Sequence, residues 1–268
     1  MTPKQVSLAV CQTALQPEAV GRNLDAMACL AADAAANGAD LVVFPEMVTT
    51  GYGIGDAIAR LAEPADGQGY RRLADAARDS RVAICFGYPE AANGAVYNSA
   101  ALIGPDGTLI GNHRKTHLIG AYERRHFTPG DNGLTLVDVA GFKVAVLICY
   151  EVEFPELVRR AALAGAELIV VPTATSDTAV TTDFAKVVVA SRATENNIFV
   201  GYANHCGRDD RFGFTGGSII AGPLVQTLAV AGTEETVLTA TLDTAKIAEG
   251  EKLIPYLQDR RPELYGEG

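Results

Sequence analysis

Apolar positions along the chain fall into two rhythms. Short, near-continuous apolar runs occupy residues 6–11, 39–46, 144–149, 168–173 and 198–204, and they read as buried strands. Residues 23–36 instead carry Leu24, Met27, Ala28, Ala31 and Ala35 at helical spacing, with Gly38 as the stop. Residues 70–79, 154–165 and 185–196 read as further helices, the second with Pro155 in its first turn. A middle section predicts strands at 82–88, 96–103 and 109–115, the last two joined by the tight turn Gly104-Pro105-Asp106-Gly107. Residues 134–139 and 144–149 make a hairpin through Gly141, and 218–230 and 236–242 close the sheet pattern. Residues 117–130 show no periodicity and read as irregular. The blocks 1–90 and 143–204 share a β-α-β rhythm whose strands end on a carboxylate or a cysteine. That predicts an α/β fold, two helix-covered sheets within a single domain over residues 1–268.

Composition permits such a core and narrows the partners. With 48% of its 268 residues hydrophobic and 20% charged, the chain can bury two sheets and leaves little for disorder. A net charge of −10 and a pI of about 4.9 oppose a nucleic-acid or anionic-membrane surface. No run approaches the ~18–20 apolar residues of a membrane span, and no signal peptide is read at the N-terminus. Cys11, Cys29, Cys85, Cys149 and Cys206 are scattered without a CxxC pair, which suits a reducing compartment rather than a disulfide framework. A soluble cytoplasmic protein with no membrane or nucleic-acid partner is the expectation.

Chemistry concentrates at strand ends. Cys149 ends a buried strand just before the helix start Phe154-Pro155-Glu156, where α/β proteins place reactive groups. Glu46 follows Phe44-Pro45, and Lys115 sits in Arg114-Lys115-Thr116-His117. Singly, each has a plainer explanation: Cys149 a small buried hydrophobe, Lys115 a surface strand residue, Glu46 a solvated strand end. His113, His117 and Cys149 could be drawn as a zinc set, but a His-x3-His spacing off a helix brings no two rings together. His205 and Cys206 point to opposite faces of an extended chain, which makes Cys206 a pocket-wall or structural residue. Gly51-Tyr52-Gly53-Ile54-Gly55-Asp56 lacks the third glycine of a dinucleotide fingerprint and reads as a flexible loop beside the site.

The segments FPEMVTTGY, HRKTHL and ICYEVEFPE together resemble the three motifs of the nitrilase superfamily of carbon–nitrogen hydrolases, in order and over essentially the whole chain. The resemblance implies a four-layer α-β-β-α sandwich, commonly paired as a homodimer, with the tail from about residue 244 (Tyr256 and Leu257 included) as a crossing arm. It implies Cys149 as nucleophile, Glu46 as general base, and Lys115 with the Tyr150 backbone N–H as oxyanion donors. Glu123, in the loop after the Lys motif, would orient Lys115, and no metal or organic cofactor is called for. Tyr52, Thr173, Ala174 and Asn204 would line the substrate, with specificity in residues 175–184 and 205–214. There Asp177, Asp183, Asp209 and Asp210 could meet a substrate ammonium or simply be solvated. The motif set looks most like bacterial amidases of the 5-aminopentanamidase and short aliphatic type, so a small aliphatic primary amide, an ω-amino amide among the candidates, is the expected substrate. A nitrilase, an N-carbamoyl amine amidohydrolase and a non-catalytic binding protein on the same scaffold stay open.

Overall fold

The computed structural model describes residues 3–14, 16–131, 133–177 and 183–265. The chain runs through β1 (Gln5–Ala14), α1 (Val20–Ala36), β2 (Leu41–Val43), α2 (Ala57–Leu61), α3 (Gln68–Ser80), β3 (Ala83–Ala92), β4 (Ala95–Ile103) and β5 (Leu109–Arg114). After α4 (Gly120–His126) come β6 (Thr135–Val139), β7 (Phe142–Val146), α5 (Pro155–Leu163), β8 (Leu168–Thr173), α6 (Phe184–Asn196) and β9 (Phe199–Cys206). Then β10 (Ile219–Gly222), β11 (Gln226–Val230), β12 (Thr236–Asp243) and α7 (Thr244–Leu253) follow.

The strands hydrogen-bond in two groups. One has the order β12-β1-β2-β3-β4-β5, parallel through β1, β2 and β3 and antiparallel elsewhere. The other has the order β6-β7-β8-β9-β10-β11, parallel through β7, β8 and β9. They join where the ends of β1 and β9 pair in parallel, Thr13 with His205 and Ala14 with Cys206.

Strand alternation sorts the apolar side chains into layers. Val6, Leu8, Val10, Leu41, Val43, Val144, Val146, Ile148, Leu168 and Val170 meet in one cluster between the two sheets. The opposite faces carry Ala9, Val42, Phe44 and Ile84 against Leu24, Met27 and Leu73 of α1 and α3. In the second sheet Ala145, Leu147, Ile169 and Val171 pack on Val158, Ala161, Val189 and Ala193 of α5 and α6. The result is the α-β-β-α layering. Each fully buried Leu, Val or Phe contributes about 1.5–3 kcal/mol to it.

Several boundaries differ from the sequence reading. The ladder of β2 stops at Val43, because Pro45 cannot donate, although Phe44 to Met47 stay buried. The strand expected to reach Cys149 ends at Val146, and the cysteine opens a 3-10 turn, Cys149–Glu153. Residues 218–230 are two strands rather than one, reversing through Leu224 and Val225, both with φ near +60°. Residues 117–130 contain α4, and the tail begins as α7, whose Asp243 caps it by accepting from the Ala245 N–H at 2.8 Å. Leu257 packs on the cluster under α5 and α6 of its own chain, while Tyr256 is exposed. Among the described residues no helix is long and apolar enough to cross a membrane.

Candidate active site

Three chain segments converge where the two sheets meet. The first carries Glu46, just past β2. Its backbone passes directly over β3: a Cβ at Gly87 would lie 2.5 Å from Glu46 Cα and from Met47 N, so only glycine fits there. His205 Nε2 lies 2.7 Å from the Glu46 carbonyl oxygen and fastens this segment to β9. Burial lowers the His205 pKa to about 4, leaving the ring neutral.

Lys115 follows β5. Its N–H bonds Asn98 O at 2.8 Å, and Gly130 N bonds Lys115 O at 2.8 Å. The neighbouring Arg114 turns the other way into a two-point ion pair with Glu90, at 2.9 and 2.5 Å, which fixes the strand end. Lys115 is thus aimed inward, and it is fully buried.

Its ammonium lies 2.7 Å from Glu46 Oε1 and 2.6 Å from Glu123 Oε1. Burial works against its charge, but Glu123 and Glu46 outweigh that and hold its pKa well above the ordinary value. Glu46 Oε1 also accepts from Asn98 Nδ2 at 2.6 Å, whereas Glu46 Oε2 is buried without a hydrogen-bond partner among the described residues. Burial raises the Glu46 pKa, with Lys115 pulling it down and Glu123 adding to the rise.

Glu123 is the only buried side chain of α4. Besides Lys115, it accepts from Tyr52 Oη at 2.8 Å and from the Ile119 N–H at 2.8 Å. The loop carrying Tyr52 is packed rather than free. Residues 49–53 are buried, the Tyr52 ring rests against Tyr122, Phe212 and Phe214, and Gly53 N donates to Asp209 Oδ2 at 2.7 Å.

Cys149 has φ of +48°, a left-handed conformation that costs a non-glycine residue of order 1–3 kcal/mol and is typical of functional sites. The turn is held from inside by Glu151, which sequence reasoning had quoted but given no role. Glu151 Oε2 accepts from the Ile148 N–H at 2.7 Å and from His113 Nε2 at 2.9 Å. Its Oε1 accepts from the Thr116 N–H at 2.9 Å and the Thr116 hydroxyl at 2.5 Å. One buried carboxylate therefore ties residues flanking Cys149 to residues flanking Lys115. Burial opposes its charge, yet the bonds from His113 and Thr116 win and lower its pKa to about 2. His113, drawn above as a conceivable zinc ligand, is a partner in this tie, and no cluster of metal-ligating groups occurs among the described residues.

Burial pushes the Cys149 thiol pKa up, Glu46 and Glu123 add to the rise, and Lys115 opposes it. The resting cysteine is a neutral thiol under the influence of all three charged groups. Its Sγ is 3.9 Å from Thr175 Oγ1, which lies 2.6 Å from Tyr202 Oη. Tyr150, next in the turn, stacks edge-on to Phe154, and its amide belongs to the first turn, whose N–H groups a helix leaves unused.

The structure gives other expected residues supporting positions. Asn204 Oδ1 accepts from the Thr175 and His205 N–H groups, and its Nδ2 donates to Thr215 Oγ1 and Gly216 O, so its side chain is committed to the protein. The Thr173 hydroxyl donates back to Val171 O, and Ala174 packs beside Tyr52 and Met47. Asp209 accepts from three backbone N–H groups, Asp183 pairs with Lys186, and Asp177 and Asp210 are exposed. Part of the expected specificity segment, residues 178–182, lies outside the described residues.

Comparison with known proteins agrees with this geometry. The carbon-nitrogen hydrolase family profile matches residues 7–252. A hydrolase of Pseudomonas protegens is 42% identical over 98% of this chain and 92% of its own. The (R)-stereoselective amidase of a Pseudomonas species is 36% identical over 92% of this chain and 87% of its own. A solved amidase from Nesterenkonia sp. superposes with a TM-score of 0.87 at 33% identity, over 97% of this chain and 95% of that one. That amidase has been seen as a double mutant in complex with acrylamide, and as a single mutant with the acetamide moiety of fluoroacetamide added covalently at its active-site cysteine. This chain belongs to the carbon-nitrogen hydrolase family, on the amidase branch of the nitrilase superfamily, and is an enzyme that acts on amides.

Proposed function

We propose that the enzyme hydrolyses small aliphatic primary amides to carboxylate and ammonia through a thioester on Cys149. The observation that carries this reading is the buried Glu46–Lys115–Glu123 chain with Cys149 in a left-handed turn beside it, Glu46 Oε2 being left without a partner among the described residues.

The cycle follows from those charges. Glu46, its basicity raised by burial, takes the thiol proton as Sγ attacks the amide carbon. Negative charge then develops on the carbonyl oxygen. Lys115 and the Tyr150 N–H stabilise it, a donor of this kind being worth about 3 to 4 kcal/mol. Glu46 passes its proton to the nitrogen, the carbon–nitrogen bond breaks, and ammonia leaves behind a thioester. Water attacks the thioester carbon while Glu46 accepts its proton. The carbon–sulfur bond breaks, the thiol is restored and the carboxylate departs. Glu123 keeps Lys115 charged and in place throughout, and Tyr52 keeps Glu123 in place.

Ammonia release from a panel of short amides and the matching nitriles tests this. Amides should turn over and nitriles should be much poorer. Efficient nitrile hydrolysis beside inert amides would refute the reading.

A further inference from the structure

We propose that Asn98 is a positioning residue that selects the working oxygen of Glu46, leaving Oε2 to take and return the proton; the assignment rests on the amide reading above. Two successive cross-strand positions of β4 and β5 arrange this. Ser99 pairs with Arg114, and both turn to Glu90: Ser99 Oγ donates to Glu90 Oε2 at 2.6 Å and Arg114 Nη2 to Glu90 Oε1 at 2.5 Å. At the next position the Lys115 N–H donates to Asn98 O at 2.8 Å. Alternation sends these two side chains to the other face, where both are fully buried and both donate to Glu46.

Both donors end on one atom. Asn98 Nδ2 lies 2.6 Å and Lys115 Nζ 2.7 Å from Glu46 Oε1, while Glu46 Oε2 is buried with no partner among the described residues. A carboxylate oxygen offers two lone pairs, and on Oε1 both are taken. A proton arriving there would displace the amide or the ammonium. A proton arriving on Oε2 displaces neither. While Glu46 is ionised the Asn98 amide can face it only by its NH2, since the other orientation would set two acceptors against each other at 2.6 Å. Asn98 Oδ1 is itself buried with no partner among the described residues, an unfavourable state for an acceptor. The amide is held there by its bond to Glu46.

The titratable groups around that carboxylate come from several elements. Lys115 bonds it directly, Glu123 of α4 and Tyr52 follow in the same chain of bonds, and the Cys149 thiol is raised by its charge. Neutral His205 of β9 meets only the Glu46 backbone carbonyl. Burial raises the Glu46 pKa, Lys115 opposes that, Glu123 adds to it, and the Asn98 bond helps to hold it down.

The pH dependence of kcat/KM for butyramide, followed by ammonia release, tests this in wild type, Asn98→Leu and Asn98→Asp. Leucine fills the space without a donor. Glu46 then loses a bond that favours its charged form and its pKa rises. The acid limb of the profile should move up by about one pH unit, with kcat down about ten- to a hundredfold and KM within about twofold. A structural role alone would lower activity at every pH and leave the limb where it is. In Asn98→Asp the introduced carboxyl shares a proton with Glu46 and can donate to Oε1 as the amide does. That variant should exceed Asn98→Leu by about tenfold while the pair holds one proton, and lose the lead as that proton leaves on the alkaline side. An unmoved limb in Asn98→Leu, or equal losses in both variants at every pH, would overturn this assignment alone. If Asn98→Leu fails to fold, Asn98→Asp decides by itself: a profile parallel to wild type across the range overturns the assignment. No ammonia from short amides with wild type would overturn the amide reading and this assignment with it.

Discussion

Replacing Glu151 by Gln should cost the protein several kcal/mol of stability at neutral pH. The carboxylate accepts four hydrogen bonds, two on each oxygen, from Ile148, His113 and both polar groups of Thr116. Glutamine keeps one accepting oxygen and turns an NH2 towards the other two donors. A buried donor deprived of its acceptor costs ~1–3 kcal/mol, so the change amounts to about 2–6 kcal/mol. The same bonds set the titration of Glu151. Against burial, the bonds from His113 and Thr116 lower its folded pKa from the ordinary 4.5 to about 2, so ionisation favours the folded state by ~3 kcal/mol at neutral pH. The folded pKa is depressed, so this contribution is present above the unfolded value and is lost as pH falls towards about 2. Urea unfolding of both proteins at pH 6 and at pH 3.5 reads it directly. The wild-type advantage should be several kcal/mol at the higher pH and about 1 kcal/mol smaller at the lower. Equal stability of the two proteins at pH 6, or an advantage that grows on acidification, would refute the reasoning.

Glu46→Gln and Glu123→Gln should each lower kcat by about a thousandfold or more with little change in KM, and the double variant should be only slightly worse than the poorer single, because the base Glu46 and Glu123 share Lys115 in one hydrogen-bonded unit; additive losses in steady-state kinetics would argue for separate roles. Tyr52→Phe removes one of three donors to Glu123 and should reduce kcat about tenfold while the thermal midpoint moves by only a few degrees, as followed by circular dichroism.

The layering was legible because burial is periodic. Val6, Leu8 and Val10 alternate with Ala9 and Cys11, and each set meets a different cluster. Glu46 and Cys149 stand out because each ends an apolar run at a turn, whereas Lys115 follows Gly111-Asn112-His113-Arg114 and was legible only through the family motif. Glu123 was legible only through the family motif, since α4 buries one side chain in its seven residues and that one is charged, leaving no apolar stripe to detect. α7 escaped notice for the same reason, Gly250 being its only buried residue. Glu151 stood in plain view inside ICYEVEFPE, but a carboxylate two residues from a cysteine reads as solvated until the fold brings His113 and Thr116 around it. Asn204 is expected at the substrate, and its side chain holds Thr175, His205, Thr215 and Gly216, a set of partners that its sequence neighbours do not reveal. Which polar groups are already satisfied is a property of long-range contacts, and local pattern does not carry it.

The proposed cycle requires a covalent bond to the Cys149 sulfur. Intact mass spectrometry of enzyme acid-quenched during turnover of a slowly hydrolysed amide reads that bond, with peptide mapping of the species found. The expected result is a mass increase equal to the acyl group, confined to the peptide holding Cys149, absent from Cys149→Ala, and accompanied in that variant by loss of ammonia release with the fold intact. Ammonia release persisting in Cys149→Ala, or an acyl group mapped to another residue, would contradict it.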